Sequence, residues 1–149
     1  MLLVPLRAPE SYRRGITMTD SFTVSRVLPA TPEQIYEAWL DTDEHSEMTG
    51  ASATCDPKVG GMFTAWDGYI EGTNVELEPF KRIVQRWRTV EFPVEAPDSL
   101  LEIVLEASNG GAIITINHSE IPEGQGGSYN VGWTDHYFEP MAAHFRLVY

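Results

Sequence analysis

"GGMFTAWDGYIEG", residues 60–72, is the densest glycine stretch of the chain, and its reading decides the fold. A glycine pair ahead of an apolar run is either a loop that cradles phosphate or the bend that opens a β-hairpin. The phosphate reading needs the GxxxxGK[ST] spacing with a helix behind it, and Gly60-Gly61 has neither. Instead, two apolar-rich runs flank Asp67-Gly68, a pair suited to a tight hairpin turn. On this reading Gly60-Gly61 bends the chain into a sheet and Gly68 makes the turn. Gly72 lies inside the next strand, where a missing side chain admits close backbone approach or a bulge that eases curvature.

The pattern extends in both directions. "RIVQRWRT" (82–89) reads as a strand with Ile83, Gln85 and Trp87 on one face and Arg82, Arg86 and Arg88 on the other. A proline-rich connection (90–99) follows. Residues 100–107 and 112–119 then flank Ser108-Asn109-Gly110-Gly111, a second hairpin. Leu101, Ile103 and Leu105 share a face of the first strand, and Ile114, Ile116 and His118 share a face of the second. "IPEGQGGS" (121–128) reads as a loop. From Ser128 onward Trp133, Tyr137, Met141, Phe145 and Val148 recur at three to four residues, a helical stripe that Pro140 is predicted to kink. Upstream, residues 21–30 read as a strand. Thr31-Pro32-Glu33-Gln34 forms a capping box with proline at the first helical position, and Ile35 and Trp39 share a face of the helix that ends near Asp41. A second, acidic and solvated short helix is predicted to end at Gly50, with residues 51–59 extended. Strand, two short helices, antiparallel strands and a long last helix make an α+β layer, the helix packed on one sheet.

The 149 residues suggest a single domain able to bury a core. Residues 1–17, with two prolines, three arginines and no sustained period, are expected to be a tail or an over-long gene start. The tail is bounded at residues 1–19 and the domain at 20–149, and a large loss of thermal stability on deleting 1–17 would overturn that expectation. Twenty-two acids against ten Lys and Arg give a net charge of −12. With no basic block beyond Lys81-Arg82, nucleic acid and anionic membranes are not expected partners. No apolar run reaches the roughly 18 residues of a membrane span, and "MLLVPL" lacks the features of a signal peptide, so the cytoplasm is the expected compartment. One cysteine, Cys55, excludes a disulfide framework.

"VGGMFTAWDGYIEGTNVELEPFKRIVQRWR" resembles the central signature of the activator-of-Hsp90-ATPase homologue domain. "VGWTDHYFEPMAAHF" resembles that family's closing helix, and "TPEQIYEAW" is similar to its first helix start; together they cover Ser21 to Phe145. The resemblance implies membership of the START/Bet v 1-like superfamily. It also implies the helix-grip fold, a curved antiparallel sheet wrapped around a long C-terminal helix, often with a cavity for an apolar small molecule between them. The family's eukaryotic co-chaperones carry this domain behind a separate Hsp90-binding domain, for which 149 residues leave no room. Chaperone contact is therefore a secondary expectation, and a monomer or homodimer is expected.

The residues themselves narrow the chemistry. "GQGGSY" (124–129) precedes a helix, where an anion could sit, but it lacks a lysine, and Tyr129 takes the place of the third glycine of a GxGxxG pattern. Counted from Asp41, an EF-hand would need Gly and Glu where Ser46 and Ser52 stand. His45, His118, His136 and His144 show no zinc spacing, so neither metal nor cofactor is expected. His118, on the face of Ile114 and Ile116, is either a satisfied histidine at a cavity rim or a base. The leading expectation is binding of an apolar or amphipathic small molecule between sheet and last helix. The expected lining is Trp39, Phe63, Trp87, Ile103, Ile116, His118, Trp133, Tyr137 and Met141. The alternatives are a cyclase- or dehydratase-like enzyme using the same cavity and a chaperone-linked interaction module.

Overall fold

The chain pairs its first strand with its last and closes the sheet around the C-terminal helical run. A computed structural model describes residues 18–148; residues 1–17 of the expected tail (1–19) and the side chains of Leu147 and Val148 lie outside the described residues. Seven antiparallel strands form one curved sheet in the order β1-β7-β6-β5-β4-β3-β2. They are β1 (Thr19–Leu28), β2 (Thr54–Cys55), β3 (Met62–Ala65), β4 (Ile70–Glu78), β5 (Arg82–Thr89), β6 (Ser99–Ser108) and β7 (Gly111–Pro122). β1 thus begins one residue inside the stretch assigned to the tail. Register shifts between Asp20 and Phe22 in β1 and between Asn74 and Glu76 in β4 bend those strands, as bulges do.

Two short helices follow β1. In α1 (Pro32–Leu40) the expected capping box is present: Thr31 Oγ1 accepts from the Gln34 N–H at 3.1 Å, and Gln34 Oε1 from the Thr31 N–H at 2.8 Å. α2 (Thr42–Thr49) is capped by the Asp41 carboxylate and ends at Gly50, as expected. It is not the wholly solvated helix its acids suggest, because His45, Met48 and Thr49 are buried. Their spacing of three and four places them on one face.

The hairpin at 60–72 differs from expectation in its turn. Ala65 faces Ile70 across four turn residues, 66–69, and the left-handed backbone starts at Trp66 (φ 52°) and runs through Asp67 (59°) and Gly68 (89°). The Asp67 N–H donates to the Ser52 carbonyl at 2.9 Å, while Asp67 Oδ1 accepts from the Ser52 N–H at 3.0 Å. The turn therefore starts one residue earlier than a two-residue Asp67-Gly68 turn would, and an indole side chain sits on left-handed backbone. Gly72 does admit close approach: a Cβ there would lie 1.9 Å from the Arg86 carbonyl and 2.7 Å from the Phe63 ring.

The last helical run is continuous but not uniformly α: α3 (Gly126–Trp133), a π-helical segment (Thr134–Phe138), then α4 (Glu139–Val148). The interruption expected at Pro140 takes the form of this π segment, closed by the Glu139 N–H bonding to the Thr134 carbonyl. Phe138, Met141 and Phe145 join the core formed with Ile35, Leu28, Ile83, Leu101, Ile103, Ile114 and Ile116. On the outer face Arg82 pairs with Glu76 and Glu102, Arg86 with Glu120, and Arg88 with Asp98. Among the described residues, no helix is long and apolar enough to cross a membrane.

Candidate functional site

Residues at i, i+4 and i+8 lie on one face of a helix, and here those positions are Tyr129, Trp133 and Tyr137. They meet Trp87, which β5 points inward. Trp87 lies 5.1 Å from Tyr129 and 5.8 Å from Trp133, ring centre to ring centre, and Trp133 lies 4.8 Å from Tyr137. The turn 66–69 supplies the facing wall. A cleft of about 390 Å³ opens between them, lined by Trp66, Tyr69, Ile70, Trp87, Ser128, Tyr129, Val131, Gly132, Trp133, Asp135, His136 and Tyr137. Trp66 reaches across to His136 of the π segment, edge to face at 5.3 Å. The Trp66 Nε1 is buried with no hydrogen-bond partner.

Of the nine expected lining residues, Trp87, Trp133 and Tyr137 border this cleft. The other six do not line it: Trp39, Phe63, Ile103, Ile116, His118 and Met141 are buried in the interior. Trp39 stacks on the rear of Tyr137 at 5.0 Å. Trp66, Tyr69, Tyr129 and His136 were not expected at the site. The helical period reports Tyr129, but Trp66 reads as an ordinary strand residue because the tie between Asp67 and Ser52 is a long-range contact.

His118 is 1% exposed, and both of its nitrogens are engaged. Trp133 Nε1 donates to His118 Nδ1 at 3.1 Å. The proton therefore sits on Nε2, which donates to Ser99 Oγ at 2.9 Å, and Ser99 in turn donates to the Trp87 carbonyl at 2.7 Å. This chain ties the Trp133 indole to the Trp87 backbone. Burial pushes the imidazole down to about 3, so it is neutral. His45 is a second buried neutral histidine. Its Nδ1–H donates to the Trp39 carbonyl at 2.8 Å, leaving Nε2 to accept the Tyr137 hydroxyl at 2.9 Å. Burial lowers the His45 imidazole, although the backbone bond opposes it, and raises the Tyr137 phenol.

At the other end, the Tyr129 hydroxyl donates to Gln125 Oε1 at 2.7 Å and accepts from Thr89 Oγ1 at 2.7 Å. Tyr69 donates to Glu91 at 2.9 Å, and burial pushes its phenol up to about 12. The start of the last helical run is occupied from within: Asp20 Oδ2 accepts from the Gly124 and Gly126 N–H groups, both at 2.9 Å. The anion position suggested by "GQGGSY" thus holds the protein's own carboxylate, and a Cβ at Gly126 would come within 2.7 Å of Asp20. Among the described residues, no group of three His, Cys, Asp or Glu is placed to hold a metal ion.

Comparison with known proteins gives a consistent result. The human activator of 90 kDa heat shock protein ATPase homolog 1 is 27% identical over 127 residues, 85% of this chain. The chain spans only 37% of that relative's length. A solved HSP90 activator from Plasmodium falciparum superposes with a TM-score of 0.74 at 23% identity, covering 83% of this chain and 94% of that one. Protein CV1439 from Chromobacterium violaceum superposes with a TM-score of 0.68 at 27% identity, over 84% of this chain and 96% of the other. The family model described as activator of Hsp90 ATPase homolog 1-like protein matches residues 29–146, which takes in every strand except β1 and all but the end of the last helix. The chain belongs to the activator of Hsp90 ATPase homolog 1-like family.

Proposed function

We propose that the protein binds an apolar or amphipathic small molecule in the cleft between the turn 66–69, β5 and the helical run 126–138. The observation that carries this reading is the cleft itself: about 390 Å³, walled chiefly by aromatic side chains. Its size and lining are those of small-molecule sites, which are concave, mostly apolar and largely preformed. Two features add support. The π segment forms part of its wall, and such segments are frequent at functional sites. The opposite wall carries left-handed backbone at a tryptophan, a conformation that persists where the surroundings over-determine it. On this reading Trp87, Trp133 and Tyr137 contact the ligand, while Trp39, Phe63, Ile103, Ile116, His118 and Met141 hold those rings in place.

A cavity-filling variant tests it. A Cβ added at Gly132 meets only the His136 ring, at 3.9 Å, so the backbone tolerates a side chain there. Gly132→Leu should fill the cleft, abolish the emission rise of the neutral dye N-phenyl-1-naphthylamine, and raise stability by about 0.5–1 kcal/mol through helix propensity. Undiminished dye binding by this variant would sink the reading. Native mass spectrometry of the freshly purified protein gives an independent check through any co-purifying mass.

A second reading follows from the curated relatives, which are named as activators of the 90 kDa heat shock protein ATPase. Adding this protein to purified Hsp90 and following ATP turnover tests a chaperone role directly, and an unchanged rate excludes it. Catalysis in the cleft would fall to the rim residues Asp135 and His136, because both nitrogens of His118 are already bonded.

A further inference from the structure

We propose that the ligand of this cleft is an organic cation with an apolar, ring-containing body. The inference rests on the cleft being a binding site, and it concerns what the walls can recognise. No lysine or arginine lines the cleft, and Asp135, exposed at its mouth, is the lining carboxylate. The donors on the aromatic wall are already used, which leaves the Ser128 hydroxyl and the His136 ring at the exposed mouth. The Tyr137 hydroxyl goes to His45, that of Tyr129 to Gln125, that of Tyr69 to Glu91, and the Trp133 N–H to His118. The Trp66 N–H is buried and exposes no surface to an incoming acceptor. A carboxylate or phosphate would therefore find no lysine or arginine and no free donor on the aromatic wall, only Ser128 and His136 at the exposed mouth, so its desolvation inside the cleft would go largely uncompensated.

A cation meets the opposite conditions. Aromatic rings attract positive charge through their quadrupole, and tryptophan does so best. Three indoles and three phenols surround this space. The Glu91 carboxylate lies one hydrogen bond behind the Tyr69 phenol, so it polarises that ring's hydroxyl without neutralising a ligand charge itself. Arg88, at the base of the same connection, is bonded to Asp98 and to the Pro93 and Ala96 carbonyls, which ties its charge locally. The whole chain, at net −12, adds an attractive long-range field.

The test uses three probes with one naphthalene body: (2-naphthylmethyl)trimethylammonium, 2-naphthalenemethanol and 2-naphthoate, titrated calorimetrically into the full chain at pH 8 and low salt. The cation is expected to bind about tenfold more tightly than the alcohol, and the naphthoate more weakly than either. Asp135→Asn should reduce the advantage of the cation severalfold and leave the alcohol unchanged, as should 0.5 M NaCl. His136→Gln should preserve the ranking, which separates the effect from any charge on that ring. If the alcohol equals the cation, or the naphthoate binds best, the charge proposal falls while the cleft reading stands. If none of the three binds and N-phenyl-1-naphthylamine does not bind either, both fall.

Discussion

Burying His118 as a neutral ring makes stability depend on acid. In the unfolded chain this imidazole takes up its proton near the ordinary value of 6.5, whereas in the folded protein it does so only near 3. Its contribution is complete above pH 6.5 and is lost as pH falls, by at most about 1.4 kcal/mol per unit. His45, lowered by burial as well, acts in the same direction. Urea melts between pH 6.5 and 5, above most carboxylate titration, should show falling stability. His118→Gln should remove part of that slope; a slope identical to wild type would refute the assignment. Trp66 makes a different prediction. Asn tolerates left-handed backbone, which costs other residues about 1–2 kcal/mol. Trp66→Asn should therefore melt within a few degrees of wild type while its affinity for N-phenyl-1-naphthylamine falls at least tenfold. The inward position of His118 was legible from strand alternation with Ile114 and Ile116. Its bonding to Trp133 and Ser99 was not, because those partners lie 15 and 19 residues away.

Among the elements, the last helical run holds most of the site. Its period was legible in sequence, and that period places Trp133 and Tyr137 together. The π segment was not legible: Pro140 announces an interruption, but whether the chain answers with a bend or an extra residue depends on packing around Phe138 and Met141. The start of the run depends on β1. Asp20 accepts two N–H groups there, from Gly124 and Gly126. Asp20→Ala should cost about 1–2 kcal/mol in urea melts, and Asp20→Asn, which keeps an acceptor, less. Equal stability of Asp20→Ala and wild type would mean that the carboxylate carries no capping role. The second short helix shows how charge hides burial. Four of its eight residues are Asp, Glu or His, yet His45 faces inward.

For the molecule as a whole, the sheet order sets where opening begins. β7 lies between β1 and β6, and β6 between β7 and, as far as Val104, β5, whereas β2 is a two-residue edge strand. Amides of Ile103, Leu105, Ile114 and Ile116 should exchange with solvent near the global unfolding rate, and Thr54 and Cys55 orders of magnitude faster. Rapid exchange at Ile103 and Ile116 would contradict a single cooperative core. The helix-grip architecture was legible because hairpin turns, capping box and helical stripe are local signals that agree. The cleft was legible only in part, because its position depends on how the turn 66–69 meets the helix across the fold. The arrangement of rings has an optical consequence. Trp39, Trp133 and Trp87 stand in a row, with centres 6.1 Å and 5.8 Å apart. At such spacing the indoles share their excited states, giving coupled near-ultraviolet dichroism in place of three independent chromophores. Two of the three wall the cleft, so a molecule settling against them alters a collective signal, and the protein carries an unlabelled reporter of its own occupancy.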